Sequence, residues 1–327
     1  MGAYVRVSDG LVYIFASSFV KEKTLTFGTG ENYTRGLAVS GGFLYAGCTT
    51  SPGRVVKVNL NSFTKVLTLS FASGENYVRD MVISDGFLYV ALDTIPGKIV
   101  KVDLSDFTKV STLTLDADED HIYALAVSGG FLYAGLDLFV GKVVKIDLTT
   151  FTKVSTLTFA SDEKWVYDLA VFGGFLYAGL WTIPGKVVKI DLSTFTKTAT
   201  LTLAAGENYV YALAVSGGFL YAGLGVGPGK VVKVDLSSFT KVSILTFTSG
   251  NDYVGSLAIA SGFLYAGLSM APAKVVKINL SNFTQVSTLT FTVPENYIRQ
   301  NDLITDTGFL YAGIADAVPG RIVKAWL

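Results

Sequence analysis

The sequence predicts an all-β protein built from repeated units, and three observations support this. The segment Phe-Leu-Tyr occurs seven times, and a second marker, Phe-Thr-Lys or a close variant, also occurs seven times. Short runs rich in β-branched and aromatic residues are bounded by Gly, Pro, Ser or Asp, as is typical of strands. No window has a helical period. The first marker begins at Phe43, Phe87, Phe131, Phe175, Phe219, Phe263 and Phe309, and the second at Phe19, Phe63, Phe107, Phe151, Phe195, Phe239 and Phe283.

The length of one unit indicates the architecture. The first six Phe-Leu-Tyr segments follow one another at intervals of 44 residues, and the last interval is 46. The unit at residues 206–249 contains four strand candidates, which read YALAVS, FLYAGL, KVVKVDL and KVSILTF. Four antiparallel strands in a unit of this length are typical of a propeller blade. The sequence therefore predicts a seven-bladed β-propeller of four-stranded antiparallel blades, with units that begin near residues 30, 74, 118, 162, 206, 250 and 294.

The two ends of the chain predict how the ring closes. The last unit stops after its third strand, and residues 17–29 read like the missing fourth strand. We therefore expect an N-terminal strand at residues 22–27 to complete the last blade, which removes an open sheet edge. The propeller domain then spans residues 17–327. Residues 1–16 are an extension of unclear role, which either forms a hairpin or competes for the third-strand place of the seventh blade.

Composition excludes several classes of protein. The chain has 327 residues with 26 basic and 26 acidic side chains, so a strongly basic nucleic-acid binder is not expected. One cysteine, Cys48, and one histidine, His121, leave no ligand set for a metal site, and we expect no cofactor. Residues 208–229 and 253–273 lack charge, yet turns divide each into two strands, so no membrane span is expected.

The repeat LAVSGGFLYAG, followed by PGKVVKIDLSTFTK, resembles the YVTN-type and related β-propeller repeats of the broad WD-repeat-like superfamily. The resemblance covers residues 17–327. The Gly-His and Trp-Asp pairs typical of WD repeats are absent. The resemblance implies a surface or secreted binding protein and transfers no catalytic residue.

Residues that are the same in every blade are interpreted as structural. The repeated lysine of the third strand is expected to be solvated and to limit edge pairing. The repeated tyrosine of the second strand is expected to pack in the core. These residues are Lys57, Lys101, Lys145, Lys189, Lys233, Lys277 and Lys324, and Tyr45, Tyr89, Tyr133, Tyr177, Tyr221, Tyr265 and Tyr311.

Loops that differ between blades are the candidates for function. In a propeller, the loop before the first strand and the loop after the second strand share one face. The first of these loops usually reads Glu-Asn-Tyr, which either forms a ring of sugar-binding groups or caps the turn and wedges between blades. His121 and Trp165 replace the tyrosine in blades three and four.

One position on the first strand varies in an ordered way around the ring. Arginine occupies it in blades seven, one and two, and tyrosine in blades three, four and five, with Gly255 in blade six. We expect these side chains to form a binding site at the channel mouth, cationic on one side and aromatic on the other. They are Arg299, Arg35 and Arg79, and Tyr123, Tyr167 and Tyr211. Asp80 and Asp168 lie one residue further along.

The loop after the second strand is apolar in blades two to four. Exposed apolar side chains on adjacent loops are typical of an interface, although these could also fold onto the blade top. They are Ile95, Leu138, Phe139, Val140, Trp181 and Ile183.

The sequence leads to three functional hypotheses. The first is a non-enzymatic binding module, extracellular or on a cell or virion surface, which recognises a glycan or a protein through the loop face of blades two to five. The second is a structural subunit that self-associates in a larger assembly through the apolar loops. The third is a propeller enzyme of the lyase or lactonase type, with Asp80, Asp168 and the three arginines as its only candidates. Sequons at Asn32, Asn279 and Asn282 agree with an extracellular setting.

Overall fold

A computed structural model describes residues 4–8, 11–15 and 19–327. Within those residues every regular element is a β-strand. Seven four-stranded antiparallel sheets form the body of the molecule, so the predicted all-β, seven-bladed propeller is confirmed.

The strands are numbered in chain order. The first three are β1 (Tyr4–Ser8), β2 (Leu11–Phe15) and β3 (Lys21–Thr26). Blades one to three contain β4 (Thr34–Ser40), β5 (Phe43–Cys48), β6 (Arg54–Asn59), β7 (Thr64–Ser70), β8 (Val78–Ser84), β9 (Phe87–Leu92), β10 (Lys98–Asp103), β11 (Thr108–Thr114), β12 (Ile122–Ser128), β13 (Phe131–Leu136), β14 (Lys142–Asp147) and β15 (Thr152–Thr158). Blades four to six contain β16 (Val166–Phe172), β17 (Phe175–Leu180), β18 (Lys186–Asp191), β19 (Thr196–Thr202), β20 (Val210–Ser216), β21 (Phe219–Leu224), β22 (Lys230–Asp235), β23 (Thr240–Thr246), β24 (Val254–Ala260), β25 (Phe263–Leu268), β26 (Lys274–Asn279) and β27 (Thr284–Thr290). Blade seven contains β28 (Leu303–Asp306), β29 (Phe309–Ile314) and β30 (Arg321–Trp326), together with β3.

In blades one to six the strands follow one another in sequence order from the channel outward, and in blade seven β3 takes the fourth place. In blade three, for example, the order is β12, β13, β14 and β15. The first strands of neighbouring blades contact one another around the whole ring, including β28 with β4. The seven first strands therefore surround the central channel.

The N-terminal strand closes the ring as the sequence predicts. β3 pairs antiparallel with β30, with Thr26 opposite Arg321 and Lys21 opposite Ala325. The observed strand begins and ends one residue earlier than the predicted range. β1 and β2 pair with each other in a separate two-stranded sheet, and β30 occupies the third-strand place of blade seven.

The hydrophobic core lies between blades rather than within them. Seven buried clusters are found in the described residues, and each joins two neighbouring blades. The glycine of FLYAG permits this packing, because a Cβ on Gly135 would lie 2.5 Å from Cγ1 of Val166 in the next blade. Because both faces of each blade are buried, side chains at both odd and even positions along its strands are apolar.

The repeated tyrosines pack in this core, as expected. Each is almost fully buried, and its ring centroid lies 5.4 to 6.1 Å from a phenylalanine of the following blade's outer turn. Phe19 occupies that turn position for blade seven and contacts Tyr265.

The expectation that the repeated lysines limit edge pairing is wrong. Each belongs to the third strand, which is paired on both sides, and its ammonium group lies 3.8 to 4.3 Å from the centroid of the phenylalanine that begins the second strand. Lys324 is only 5% exposed and also pairs with Glu22. The lysines thus serve as cation–π partners inside the blade.

The uncharged stretches are paired strands. Residues 208–229 contain β20 and β21, and residues 253–273 contain β24 and β25. Within the described part of the chain, no helix is long and apolar enough to cross a membrane.

Candidate functional site

In blades two to six, a bulge at the start of the first strand turns one residue toward the channel. The pairing of the first and second strands skips one residue near this point, for example between Ile122 and Ala124 in blade three. In blades two to six the skipped residues are Arg79, Tyr123, Tyr167, Tyr211 and Gly255. In blade one the skipped residue is Gly36, next to Arg35, and in blade seven Arg299 precedes β28. Bulges of this kind change the direction of a side chain and are common beside functional sites.

The skipped residues of blades two to six, together with Arg35 and Arg299, surround a cavity of about 460 Å³ at the channel mouth, here called the central cavity. A volume of this size is in the range of small-molecule sites, about 300 to 1,000 Å³. The structure brings together all six channel-mouth residues of the sequence analysis. The lining consists of Arg35, Arg79, Tyr123, Tyr167, Tyr211, Tyr253, Gly255, Ser269, Arg299 and Gln300.

The three arginines, here called the cationic arc, differ in their partners. Arg79 donates from Nε to Oδ2 of Asp93 at 2.8 Å, and its guanidinium lies 4.7 Å from the centroid of Tyr123. Arg35 and Arg299 have no ion pair or hydrogen bond to their guanidinium groups among the described residues. Arg35 is half-buried and Arg299 is exposed. Two guanidinium groups of the cavity are therefore available to a ligand.

The three tyrosines, here called the aromatic arc, face the arginines. The ring centroid of Tyr167 lies 5.2 Å from that of Tyr123 and 5.3 Å from that of Tyr211. Trp181 stacks on Tyr167 and Tyr209, and its Nε1–H donates to the Tyr211 hydroxyl at 3.1 Å. Burial raises the pKa of all three arc tyrosines, so their hydroxyl groups remain protonated donors at neutral pH.

Gln300 crosses the channel below this cavity. It belongs to the segment before β28 in blade seven, and its Nε2–H donates to the carbonyl of Tyr123 in blade three at 3.2 Å. Gln300 is 5% exposed, and its neighbour Asn301 lines a second, lower cavity of about 200 Å³. Gln300 was not predicted from the sequence. The last repeat interval, 46 residues instead of 44, is the sequence feature that could have indicated it.

A cluster of charged groups supports the edge of the cationic arc. The Asp93 carboxylate binds Arg79 and also accepts a hydrogen bond from Nδ1 of His121. Asp137 lies near Asp93 and His121. Burial, reinforced by Asp93 and opposed by His121, raises the pKa of Asp137 to about 6. The sequence analysis missed Asp93 and Asp137. The sequence feature that could have indicated them is a carboxylate in two adjacent blades, at a repeat position where the other blades carry a small or aromatic residue.

Asp80 and Asp168 connect blades through backbone amides. Asp168 accepts from its own neighbour Leu169 at 2.8 Å and from Leu213 of the next blade at 2.6 Å. Asp80 does the same with Met81 and Leu125. Burial raises the pKa of Asp168 to about 7 and that of Asp80 well above its usual range. These carboxylates hold the first strands together, so their position in the channel is explained without catalysis.

The glutamate of the Glu-Asn-Tyr loop is a structural residue. Glu31 is buried and accepts from Lys65 and from the backbone amide of Gly28, at 2.9 and 2.7 Å. The glutamate carboxylates are therefore not available to a sugar, which removes them from the predicted sugar-binding ring. The aromatic residue of the same loop has a left-handed backbone in all seven blades, and Tyr33, Tyr77 and Tyr253 are more than 40% exposed.

The apolar second loop is divided between surface and packing. Ile95, Phe139 and Ile183 are exposed by 64 to 70%. Phe139 packs edge-on against Trp165, and Trp165 packs edge-on against Trp181. Trp165, Trp181, His121 and Phe139 thus lie beside the central cavity rather than in its lining.

No group of three histidine, cysteine or acidic side chains suited to a metal ion is found in the part of the chain described. Cys48 is fully buried, and burial raises the pKa of its thiol to about 12. Its interpretation as a small buried residue is confirmed.

Solved structures share this fold at low sequence identity. A chain of the Mitotic Checkpoint Complex aligns with a TM-score of 0.76 and 16% identity, covering 95% of this chain and 92% of its own length. The RRP9 WD40 repeats give 0.75 and 14%, covering 94% and 99%, and U3-55K gives 0.76 and 13%, covering 95% and 100%.

No protein-family model and no curated protein matches the chain. The narrower YVTN-type resemblance stays a prediction from the sequence. The structural likeness shows the fold alone, which is a seven-bladed β-propeller.

Proposed function

We propose that the protein is a non-enzymatic binding module, extracellular or on a cell or virion surface. It recognises a glycan or a protein through the loop face of blades two to five. The observation that carries this proposal is the central cavity, with the cationic arc on one side and the aromatic arc on the other.

Two features favour binding over catalysis. The carboxylates of Asp80 and Asp168 each accept two backbone amides, so neither has the freedom of a general base. The neighbouring loops present Ile95, Phe139 and Ile183 to solvent, which supplies apolar contact area for a partner. The same residues would serve a structural subunit, the alternative hypothesis, if the partner were a second copy.

Matched variants test the proposal on printed glycan and peptide arrays. Trp165 and Tyr33 occupy the same repeat position, in blade four beside the cavity and in blade one outside the proposed face. We expect the wild-type chain to bind a subset of spots, Trp165→Ala and Tyr167→Ala to lose them, and Tyr33→Ala to retain them.

Two results would contradict this proposal. Equal loss in Tyr33→Ala would show that recognition is not confined to the loop face of blades two to five. A folded chain that binds neither array and sediments as an oligomer would favour the structural-subunit hypothesis instead.

A further inference from the structure

The central cavity is rich in hydrogen-bond donors and poor in acceptors. Guanidinium groups carry donors only, and the cavity lining contains three of them and no carboxylate. Tyr167 and Tyr211 add O–H donors. The Tyr211 oxygen already accepts a hydrogen bond from Trp181, so its hydroxyl is left to donate to a ligand. A ligand that matches this lining must supply acceptors.

The positive charge of the three arginines is only partly compensated by carboxylates. Burial lowers the pKa of Arg35 to about 10, and the nearby charges of Arg79 and Arg299 act in the same direction, while Asp302 opposes them. Asp93 offsets Arg79 alone. Arg35 is half-buried, and a charge partly withdrawn from water interacts more strongly with an anion than a charge at an open surface does.

We propose that the central cavity binds an acidic saccharide unit, with its carboxylate between Arg35 and Arg299 and its ring hydroxyls on Tyr167 and Tyr211. This inference rests on the proposed binding function, names its ligand class, and extends the binding surface from blades two to five to Arg35 of blade one and Arg299 of blade seven. The unpaired guanidinium groups select the anion, and the hydroxyl donors on the opposite side select a ring that carries further oxygen acceptors.

The shape of the cavity favours a sugar unit over an extended peptide. First strands from all seven blades enclose the mouth, so it forms a bowl and not a groove along a sheet edge. Gln300 crosses the channel below it and limits its depth. A compact ligand with acceptors on opposite sides fits such a bowl, whereas a peptide would place only one side chain in it.

Calorimetric titration of the full chain tests this proposal with four probes: glucuronic acid, glucose, inorganic sulfate and N-acetylglutamate amide. We expect glucuronate to bind at least about ten-fold more tightly than glucose, because charge-assisted hydrogen bonds are the stronger class. Arg299→Gln should weaken glucuronate binding by about ten-fold or more. Lys23→Gln, which removes an exposed charge from the outermost strand of blade seven, should change it less than about two-fold.

A second variant separates a sugar site from a simple anion site. Tyr167→Phe removes a hydroxyl and keeps the ring, so it should weaken glucuronate binding and leave sulfate binding unchanged. Thermal unfolding of each variant verifies that it is folded.

Three outcomes would overturn the inference: equal affinity for glucose and glucuronate, insensitivity of glucuronate binding to both Arg299→Gln and Tyr167→Phe, or tighter binding of N-acetylglutamate amide than of glucuronate. Array binding that survives Arg299→Gln would overturn the acidic-saccharide assignment and leave the proposed binding function intact.

Discussion

At the scale of single residues, the channel-facing position after the bulge shows how the ring tolerates differences between blades. Asp80 and Asp168 each satisfy one amide in their own blade and one in the next. In blade six, Ser256 occupies the same position, and its hydroxyl accepts from the amide of Leu303. Alternate blades can therefore carry alanine at this position, as Ala124 and Ala212 do.

The raised pKa of Asp168 predicts a pH-dependent stability. Its folded-state pKa is about 7 and its unfolded value is about 3.9, so between these values the folded chain binds more protons than the unfolded chain. This carboxyl's contribution to the free energy of unfolding is therefore lost as pH rises from about 4 to about 7, by at most about 1.4 kcal/mol per pH unit.

The replacement Asp168→Ser tests this sign, because serine already serves blade six. Urea unfolding from pH 5 to pH 8 should show the stability of the wild type falling relative to Asp168→Ser, with no further change above pH 8. Ala212→Ser, at the same repeat position, should give a pH-independent offset. A constant difference between wild type and Asp168→Ser would contradict the prediction.

Single site residues could be predicted from the sequence where a substitution occurs at the same repeat position in several blades. The arginine and tyrosine positions were found because a fixed repeat places equivalent residues on equivalent strands, and the cavity contains all six. Gln300, Asp93 and Asp137 were missed because their role depends on contacts across the channel or between loops. No spacing within one blade encodes such contacts.

At the scale of the strand, an ion pair connects the fourth strand to the loop that precedes its own blade in every blade except blade six. Glu75 accepts from Lys109 and Thr112 in β11 and from the amide of Ala72. Although burial opposes it, these bonds lower the pKa of Glu75. Blade six replaces both partners with neutral residues, Asn251 and Gln285.

This paired replacement predicts coupling between the two positions. Glu75→Ala leaves the Ala72 amide and Thr112 hydroxyl without their acceptor and should lower the free energy of unfolding by about 1–3 kcal/mol. Glu75→Asn combined with Lys109→Gln should cost less than the sum of the single changes, by about 0.5 kcal/mol or more.

Urea unfolding of the two single variants and the double variant measures this coupling. The reverse exchange in blade six, Asn251→Glu with Gln285→Lys, should be neutral or stabilising. Strict additivity in blade two would show that the pair does not act as a unit.

At the scale of the whole molecule, the sequence predicted the blade number and the closing strand because both follow from counting repeats. It could not predict that the repeated lysines lie over aromatic rings, since one strand looks alike at an edge and inside a sheet. Closure depends on β3, which is covalently linked to blade one and hydrogen-bonded to β30 of blade seven. Lys21 adds an ion pair to Glu295.

A circular permutant tests whether this strand closes the ring. Joining Leu327 directly to Ser17 and opening the chain between Thr29 and Gly30 places the fourth strand after the third, as in the other six blades. The permutant should fold with an unchanged β-sheet circular dichroism spectrum. It should be less stable than the natural order, because only non-covalent contacts then join blade seven to blade one. A chain limited to residues 30–327 should aggregate, because the edge of β30 is exposed. Sedimentation and urea unfolding of the natural chain, the permutant and the truncated chain distinguish these expectations. If the permutant aggregates like the truncated chain, the fold depends on the covalent attachment of β3 to blade one rather than on its pairing with β30.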